Sequence, residues 1–454
     1  MDIKNFRDKL FAEAQAAGLT EYELYCKRNN SFDVNIFEGE IDEYKNESTF
    51  GVCFRGKVNG KMGYAFSEKI DDTVVAFLVN GAKQNAAVIE DNDEEFIYAG
   101  DAQYPQVQCY TPANNDVATD TKIETAMTME RATLAHDNRV ENLPFCGVGT
   151  GETEVYIFNS NGLDVHTKSN YAYCQAEAQV ENDDEQVKVA FDGYYGADFA
   201  QINPVAIGKK VAEKAVAKLG ASSIAAGKYP IIFEPEPAGE MLSMWVDAFS
   251  ADSAHKGFSI LAGKLGEEIA ASIVTIIDDP LMPLQTATTP FDSEGVASRT
   301  KTVVENGVFK TFLHNTKTAR KDGVAPTGNG FKGGFDLPVN IAATNFYIQP
   351  GEKTHAELLT QMGNGLVIST VEGLHSGANE TSGDFSISAT GFLVEDGKVT
   401  RPVDQITISG NFFTMLKDIV AVGSNLEFRV YEAMNNTASP SLYVKMLDVA
   451  GEAE

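Results

Sequence analysis

Apolar and polar positions along this chain follow two periods, and the switches between them mark its elements. From Ile3, apolar residues recur at Phe6, Leu10 and Ala14 and stop at Gly18, a 3.6-residue stripe that predicts a helix over residues 3 to 17. A second helix is predicted over about residues 71 to 86. A third opens at Asn203, which can cap the free N–H groups of a first turn, with Pro204 preset for that turn. Its stripe is Ile207, Val211, Ala215 and Leu219, and Gly220 terminates it.

Between these helices the chain reads as strands joined by tight turns. Asn59-Gly60, Asn161-Gly162, Asn306-Gly307 and Asp396-Gly397 each stand where a two-residue hairpin needs positive φ. The first joins Val52-Cys53-Phe54 to Tyr64-Ala65-Phe66, and the third joins Thr302-Val303-Val304 to Val308-Phe309. Antiparallel pairing in both halves predicts an α+β fold with largely antiparallel sheets and flanking helices, not a doubly wound parallel sheet. Further strands are predicted at Ile273 to Ile277, Leu366 to Ser369, Ile406 to Ser409 and Leu442 to Met446, so the C-terminal half is strand-rich. The small-residue stretch from Gly220 to Gly227 precedes the apolar run Tyr229 to Phe233 and is taken as the domain boundary. Two domains are expected, residues 1–225 and 226–454, because 454 residues exceed what one hydrophobic core usually serves.

Charge narrows the function classes. A formal net charge of −29 repels nucleic-acid backbones and anionic lipid head groups, so direct nucleic-acid binding is not expected. No apolar run approaches the ~20 residues needed to span a bilayer, and the charged, amphipathic start of the chain does not read as a signal peptide. Cys26, Cys53, Cys109, Cys146 and Cys174 are odd in number and widely spaced, which reads as reduced thiols in a cytoplasmic protein.

Catalytic motifs are scarce. The six histidines, His136, His166, His255, His314, His355 and His375, include no pair at helical zinc-ligand spacing, and no Cys follows Cys174, so no metal site is expected. A nucleophile elbow is absent, and Cys53 and Cys174 fall in predicted strands as inert thiols. Gly147 to Gly151 resembles a phosphate loop but lacks the following Lys-Ser/Thr, and a turn is expected there. The polar segment from His375 to Ser386 gathers an imidazole, the Asn379 amide, the Glu380 and Asp384 carboxylates and several hydroxyls. It leaves two readings open, a binding loop on a rigid scaffold or a long turn in which Asn379 and Asp384 satisfy their own backbone. A second cluster holds Asp292 and Glu294, followed by Thr316 to Lys321 with Arg320. These charges are either a clamp for a peptide carboxylate or a solvated face.

Several segments carry a resemblance in their order and spacing: Asn35 to Glu40, Phe291-Asp292-Ser293-Glu294-Gly295-Val296, Glu305 to Leu313 with Thr318-Ala319-Arg320-Lys321, and Thr327-Gly328-Asn329-Gly330. Ser382-Gly383-Asp384-Phe385-Ser386 with Gly391-Phe392, and Ile408-Ser409-Gly410-Asn411 leading to Ile419 to Gly423, continue it. Over essentially its whole length the chain resembles the TldD/PmbA family, and within it the PmbA/TldE-like members. The resemblance implies two α+β domains in a cytoplasmic dimer, where a zinc-bearing TldD-type subunit and a PmbA/TldE-type subunit together degrade unfolded peptides. The family also carries the label modulator of DNA gyrase. TldD-type members hold zinc on an HExxxH helix, and matching on Gly239 and the apolar residues after it places Ser243, Met244 and Ala248 where His, Glu and His would stand. A hydroxyl, a thioether and a methyl neither bind zinc nor polarise its water, so independent peptidase activity is not expected. Zinc is expected in the TldD-type partner, and Asp292, Glu294, Arg320, His375, Asn379 and Asp384 are the candidates for binding peptide. The alternatives are a non-proteolytic binding protein acting on gyrase, and a self-sufficient hydrolase built on His375, Asp384 and Asp292.

Overall fold

The computed structural model describes residues 2–90, 95–428 and 436–452. The predicted helices form at Ile3–Ala16, Asp72–Val88 and Pro204–Val216. Asp2, Asp71 and Asn203 cap them through side-chain oxygens, which satisfies first-turn N–H groups that have no intrahelical partner. All four predicted tight turns are present; Asn59, Asn306 and Asp396 take φ of 51°, 48° and 50°, each followed by a positive-φ glycine.

The first half builds one antiparallel sheet of six strands, in the spatial order Lys61–Ser67, Glu40–Val58, Tyr22–Phe37, Val140–Asn159, Asp164–Glu181 and Val187–Gly196. Helices Ile3–Ala16 and Asp72–Val88 cover one end of it around Phe6, Leu10, Phe54 and Leu78. Pro204–Val216 and Thr119–His136 cover the other end around Val148, Cys174, Val211 and Ala215. The periodicity did not announce Thr119–His136, because its inward face is only Ala126, Met129, Glu130 and Thr133.

Gly147 to Gly151 is not a turn: it lies within strand Val140–Asn159. The reason is tertiary. The Tyr173 and Tyr171 rings lie across Gly149 and Gly151 and fill the space a Cβ would need, 2.2 Å from its ideal position in each case. The expected strand at Ile273 to Ile277 is shorter and later, Ile276–Asp278.

The second half holds two further six-stranded sheets. In one, Gly227–Phe233 lies between Gly365–Glu372, parallel to it, and Leu442–Ala450, antiparallel to it. Lys398–Asn411 pairs with both Asp384–Glu395 and Leu442–Ala450, which curls this sheet round on itself. The other sheet includes Ile276–Asp278, Lys301–Glu305 and Asn345–Ile348. A single large core, with Phe233, Trp245, Phe249, Phe346 and Phe412 at its centre, fills the space between the two sheets. The halves meet along half-buried polar contacts: Arg401 donates to the Ser222 carbonyl at 3.1 Å, Lys188 pairs with Asp404, and Tyr104 donates to the Gly295 carbonyl at 2.8 Å.

Candidate functional site

Strand Gly227–Phe233 delivers the chain to Glu234, and Pro235 opens the helix Pro235–Met244 at the position where its missing N–H costs nothing. Pro237, Ala238, Gly239, Met241 and Leu242 are buried, and the Gly239 face of the helix packs at ordinary van der Waals distance on the backbone around Ala438. The helix ends at Met244. Trp245 leaves it with φ −111° and ψ 14°, and a short 3-10 turn Val246–Phe249 follows. Ser243 and Met244 are therefore half-buried in the last helical turn, while Ala248 is buried in the next segment. Among the described residues, no group of three or more His, Cys, Asp or Glu side chains stands close enough to hold a metal ion.

Trp245 couples this helix to the His375–Ser386 segment. Its ring stacks on Phe412 with centroids 4.6 Å apart, and its Nε1 donates to the Asn379 carbonyl at 3.1 Å. In that segment His375 lies exposed on the single helical turn Leu374–Gly377. Asn379 Oδ1 accepts the N–H groups of Thr381 (3.0 Å) and Ser382 (2.9 Å). Asp384 accepts from Asn411 Nδ2 at 2.9 Å and Ser382 Oγ at 2.8 Å, and these hydrogen bonds hold its carboxyl below the usual range. Asn379 and Asp384 thus spend acceptors within their own turn while remaining exposed.

Asp292 and Glu294 stand in a different place, under the first sheet, and both are buried at 1% and 4% exposure. Asp292 Oδ1 accepts from the backbone of Glu294 (2.9 Å) and Val296 (3.0 Å), and Oδ2 from Gly330 N (2.9 Å). Glu294 accepts both the N–H of Thr316 (2.7 Å) and its hydroxyl (2.5 Å). On the first sheet facing them, Arg55 donates to its cross-strand neighbour Glu23 at 2.8 Å, with both side chains nearly inaccessible. Burial works to discharge Arg55, but Glu23, Tyr64 and Glu294 more than offset it and keep the guanidinium charged. Burial and the neighbouring Glu294 raise the Asp292 carboxyl against the pull of its three backbone donors. Arg320 lies at the edge of this cluster, its guanidinium 4.8 Å over the Phe96 ring. The six peptide-binding candidates therefore fall into two clusters: Asp292, Glu294 and Arg320 at the domain contact, and His375, Asn379 and Asp384 around Trp245. Asp292 does not join His375 and Asp384 in a catalytic constellation.

Two arrangements escaped the sequence. The motif residues Thr327 to Gly330 act as a hub: Asn329 donates to Asp278 at 2.9 Å, and the fully buried Asp278 also pairs with Lys301 at 2.7 Å. On the first-sheet side of helix Pro235–Met244, Glu236 and Glu240, four residues apart, face a cavity of about 590 Å3 that Lys214 and Lys218 also line. The helical spacing of the two glutamates was visible, but their partners lie elsewhere in the chain. A shallower depression of about 700 Å3 along Tyr104 to Tyr110 carries none of the candidate side chains.

Comparison with known proteins accounts for the ordered motifs. Domain 1, the central domain and the C-terminal domain of the PmbA/TldA metallopeptidases match residues 22–86, 112–219 and 226–451. A metalloprotease PmbA homolog of Haemophilus influenzae is 29% identical, the match spanning 93% of this chain and 90% of that protein. Metalloprotease PmbA of Escherichia coli O157:H7 is 27% identical over 95% of this chain and 92% of its own. A crystallised Thermotoga maritima protein, proposed to modulate a DNA gyrase, superposes with a TM-score of 0.91 at 34% identity, covering 99% of this chain and 100% of that one. TldE from Thermococcus kodakarensis shares the fold, with a TM-score of 0.90 at 23% identity over 98% of this chain and 100% of that one. The ordered motifs, the three consecutive domains and the end-to-end superposition have one explanation: this chain belongs to the PmbA/TldD metallopeptidase family.

Proposed function

We propose that this chain is the PmbA/TldE-type subunit of a two-component peptidase that degrades unfolded peptides, and that its TldD-type partner supplies the zinc. The observation carrying this reading is the donor chemistry at Ser243, Met244 and Ala248. A hydroxyl, a thioether and a methyl do not fit a zinc ion that needs imidazole, carboxylate or thiolate ligands, so no step of hydrolysis is assigned to this helix. The fold around those positions is nonetheless maintained, with Trp245 packed at the centre of the core. Such a chain contributes surface and architecture to a shared active site. On this reading His375, Asn379 and Asp384 are the exposed peptide-contacting candidates. The working assembly is a heterodimer in the cytoplasm, or a homodimer when the partner is absent. No helix among the described residues is long and apolar enough to cross a membrane, which is compatible with that setting.

The test is elemental analysis of the purified chain, beside a cleavage assay on an unstructured peptide with and without a TldD-type protein. A metal-free chain, inactive alone and active in the mixture, is expected. A stoichiometric zinc ion in the isolated chain, or a mixture no faster than the partner by itself, overturns the proposal.

The likeness to the Thermotoga maritima protein favours one other reading, a non-proteolytic regulator that docks on gyrase. A net charge of −29 suits a basic protein face. Affinity capture that recovers gyrase and no peptidase subunit would select it.

A further inference from the structure

The cavity beside helix Pro235–Met244 has a size typical of ligand sites, about 590 Å3, and a lining that selects the sign of what enters it. Its two lysines are already engaged. Lys214 contacts Asp192 at 3.0 Å and Glu236 at 2.9 Å, and donates to the Phe191 carbonyl at 3.2 Å. Lys218 donates to the Val189 carbonyl (2.9 Å) and the Thr370 hydroxyl (3.3 Å). Three further carboxylates line the same space, Glu177 from the first sheet, Glu240 from the helix and Glu372 from the strand Gly365–Glu372. Among the described residues none of the three receives a hydrogen bond or an ion pair. With Glu236 matched by Lys214, three further carboxyl groups share the space with one lysine, Lys218, whose hydrogen bonds go to neutral acceptors. A metal ion does not answer this imbalance, since the carboxylates do not converge into a ligand group. Beside Gln175 and Thr370, the other walls are apolar, with Phe145 and Phe191 stacked at 6.2 Å. Carboxylates above and aromatic faces beside them suit an organic cation on an apolar stem.

The sheet surface leading away from the cavity indicates what bears that cation. Glu177 pairs across strands with Phe191, Gln175 with Gly193 and Tyr173 with Tyr195, so all share one face. Tyr171, Tyr195 and Tyr173 are half-buried and stack in sequence at 5.6 and 6.4 Å. An extended chain laid along this tyrosine stripe places one side chain in the cavity and its neighbours against the rings. We propose that the cavity binds the arginine or lysine side chain of an extended peptide, with Glu240 as its carboxylate partner. This rests on the peptide-handling reading and adds to it a preference for basic residues.

Burial, Glu236 and Glu372 hold the Glu240 carboxyl up at about 8 although Lys214 opposes them. An arriving guanidinium therefore takes the place of a proton, and binding at pH 7 releases that proton.

The experiment is calorimetric titration of the full chain at pH 7, in two buffers of different ionisation enthalpy. The probes are an acetylated, amidated tetrapeptide with one arginine and its citrulline and glutamate counterparts. Expected are at least tenfold tighter binding of the arginine peptide than of the other two, net proton release, and loss of that preference in Glu240→Gln. Because the Glu240 carboxyl already holds a proton at pH 7, Glu240→Gln changes no charge in the free chain and its Tm stays close to that of the parent, which separates lost recognition from lost folding. Equal affinities for the arginine and citrulline peptides, tighter binding of the glutamate peptide, or a preference that survives in Glu240→Gln overturns the assignment. A mixture with a TldD-type protein that cleaves peptides, while this chain shows no arginine preference, removes the cavity assignment alone. An arginine preference beside a silent mixture removes only the two-component reading.

Discussion

The indole Nε1 of Trp245 donates to the carbonyl oxygen of Asn379 at 3.1 Å, so the end of helix Pro235–Met244 and the exposed polar turn beyond strand Gly365–Glu372 are held as one unit. The same ring stacks on Phe412, which anchors the turn to the core and not to solvent. Replacement by alanine empties a fully buried indole site and is expected to cost about 3–5 kcal/mol. Trp245→Phe keeps much of the packing and loses the hydrogen bond, for about 0.5–1.5 kcal/mol plus the gap left by the smaller ring. Urea denaturation followed by far-UV circular dichroism measures both, because Trp245 is the single tryptophan and neither variant retains its emission. Equal stability of Trp245→Phe and the parent would show that the tether contributes nothing.

Arg55 is the shared counter-charge of Glu23 and Glu294 at the domain contact. Arg55→Met leaves two buried carboxylates without it, and a loss of about 3–5 kcal/mol is expected. Neutralising the acids together with it, in the triple variant Glu23→Gln, Arg55→Met, Glu294→Gln, should recover a measurable part of that loss, because the uncompensated charge is gone. Thermal unfolding of the four proteins, the third being the pair of acid changes alone, decides it. A triple variant less stable than Arg55→Met contradicts the charge argument.

Asp292 predicts a pH dependence. Its carboxyl is raised in the folded chain, so the folded state keeps a proton that the unfolded chain releases near pH 4. The folded state then binds more protons than the unfolded one, and the stability this group contributes is present at low pH and lost as pH climbs from about 4 through the raised value. Asp292→Asn does not titrate, but it turns an N–H2 or an oxygen toward three backbone donors and costs stability at pH 5. That deficit is expected to shrink between pH 5 and pH 9, read as the difference in Tm between variant and parent. A deficit that widens with pH reverses the sign and rejects the raised carboxyl.

Gly63 sits where helix Asp72–Val88 crosses strand Lys61–Ser67. A Cβ there would stand 1.8 Å from the Ala82 carbonyl oxygen and 2.6 Å from Ala86 N, both backbone atoms that cannot swing aside. Gly63→Ala is expected to cost about 1–3 kcal/mol by pushing the helix off the sheet. An unchanged Tm would mean that this helix rides freely on the strand.

Much of this architecture was legible in the residues themselves. Asn59-Gly60, Asn306-Gly307 and Asp396-Gly397 dictate their turns because few other pairs tolerate consecutive positive φ, and Asn203-Pro204 starts a helix through a cap and a preset dihedral. The ordered motifs pointed to the family, because their order and spacing are carried by the residues themselves. What sequence could not decide were the encounters between distant segments. Gly147 to Gly151 became strand because tyrosines two dozen positions later cover it, and Thr119–His136 became helix by packing on a sheet, with little apolar stripe of its own. Strand register alone sets Glu23 opposite Arg55, and only the packing of helix Pro235–Met244 and strand Gly365–Glu372 beside the first sheet brings Glu177, Glu240 and Glu372 around a common space. Local dihedral preference and periodicity act over a few residues; burial and charge pairing act over a few ångströms, and the folded chain alone determines which residues those ångströms join.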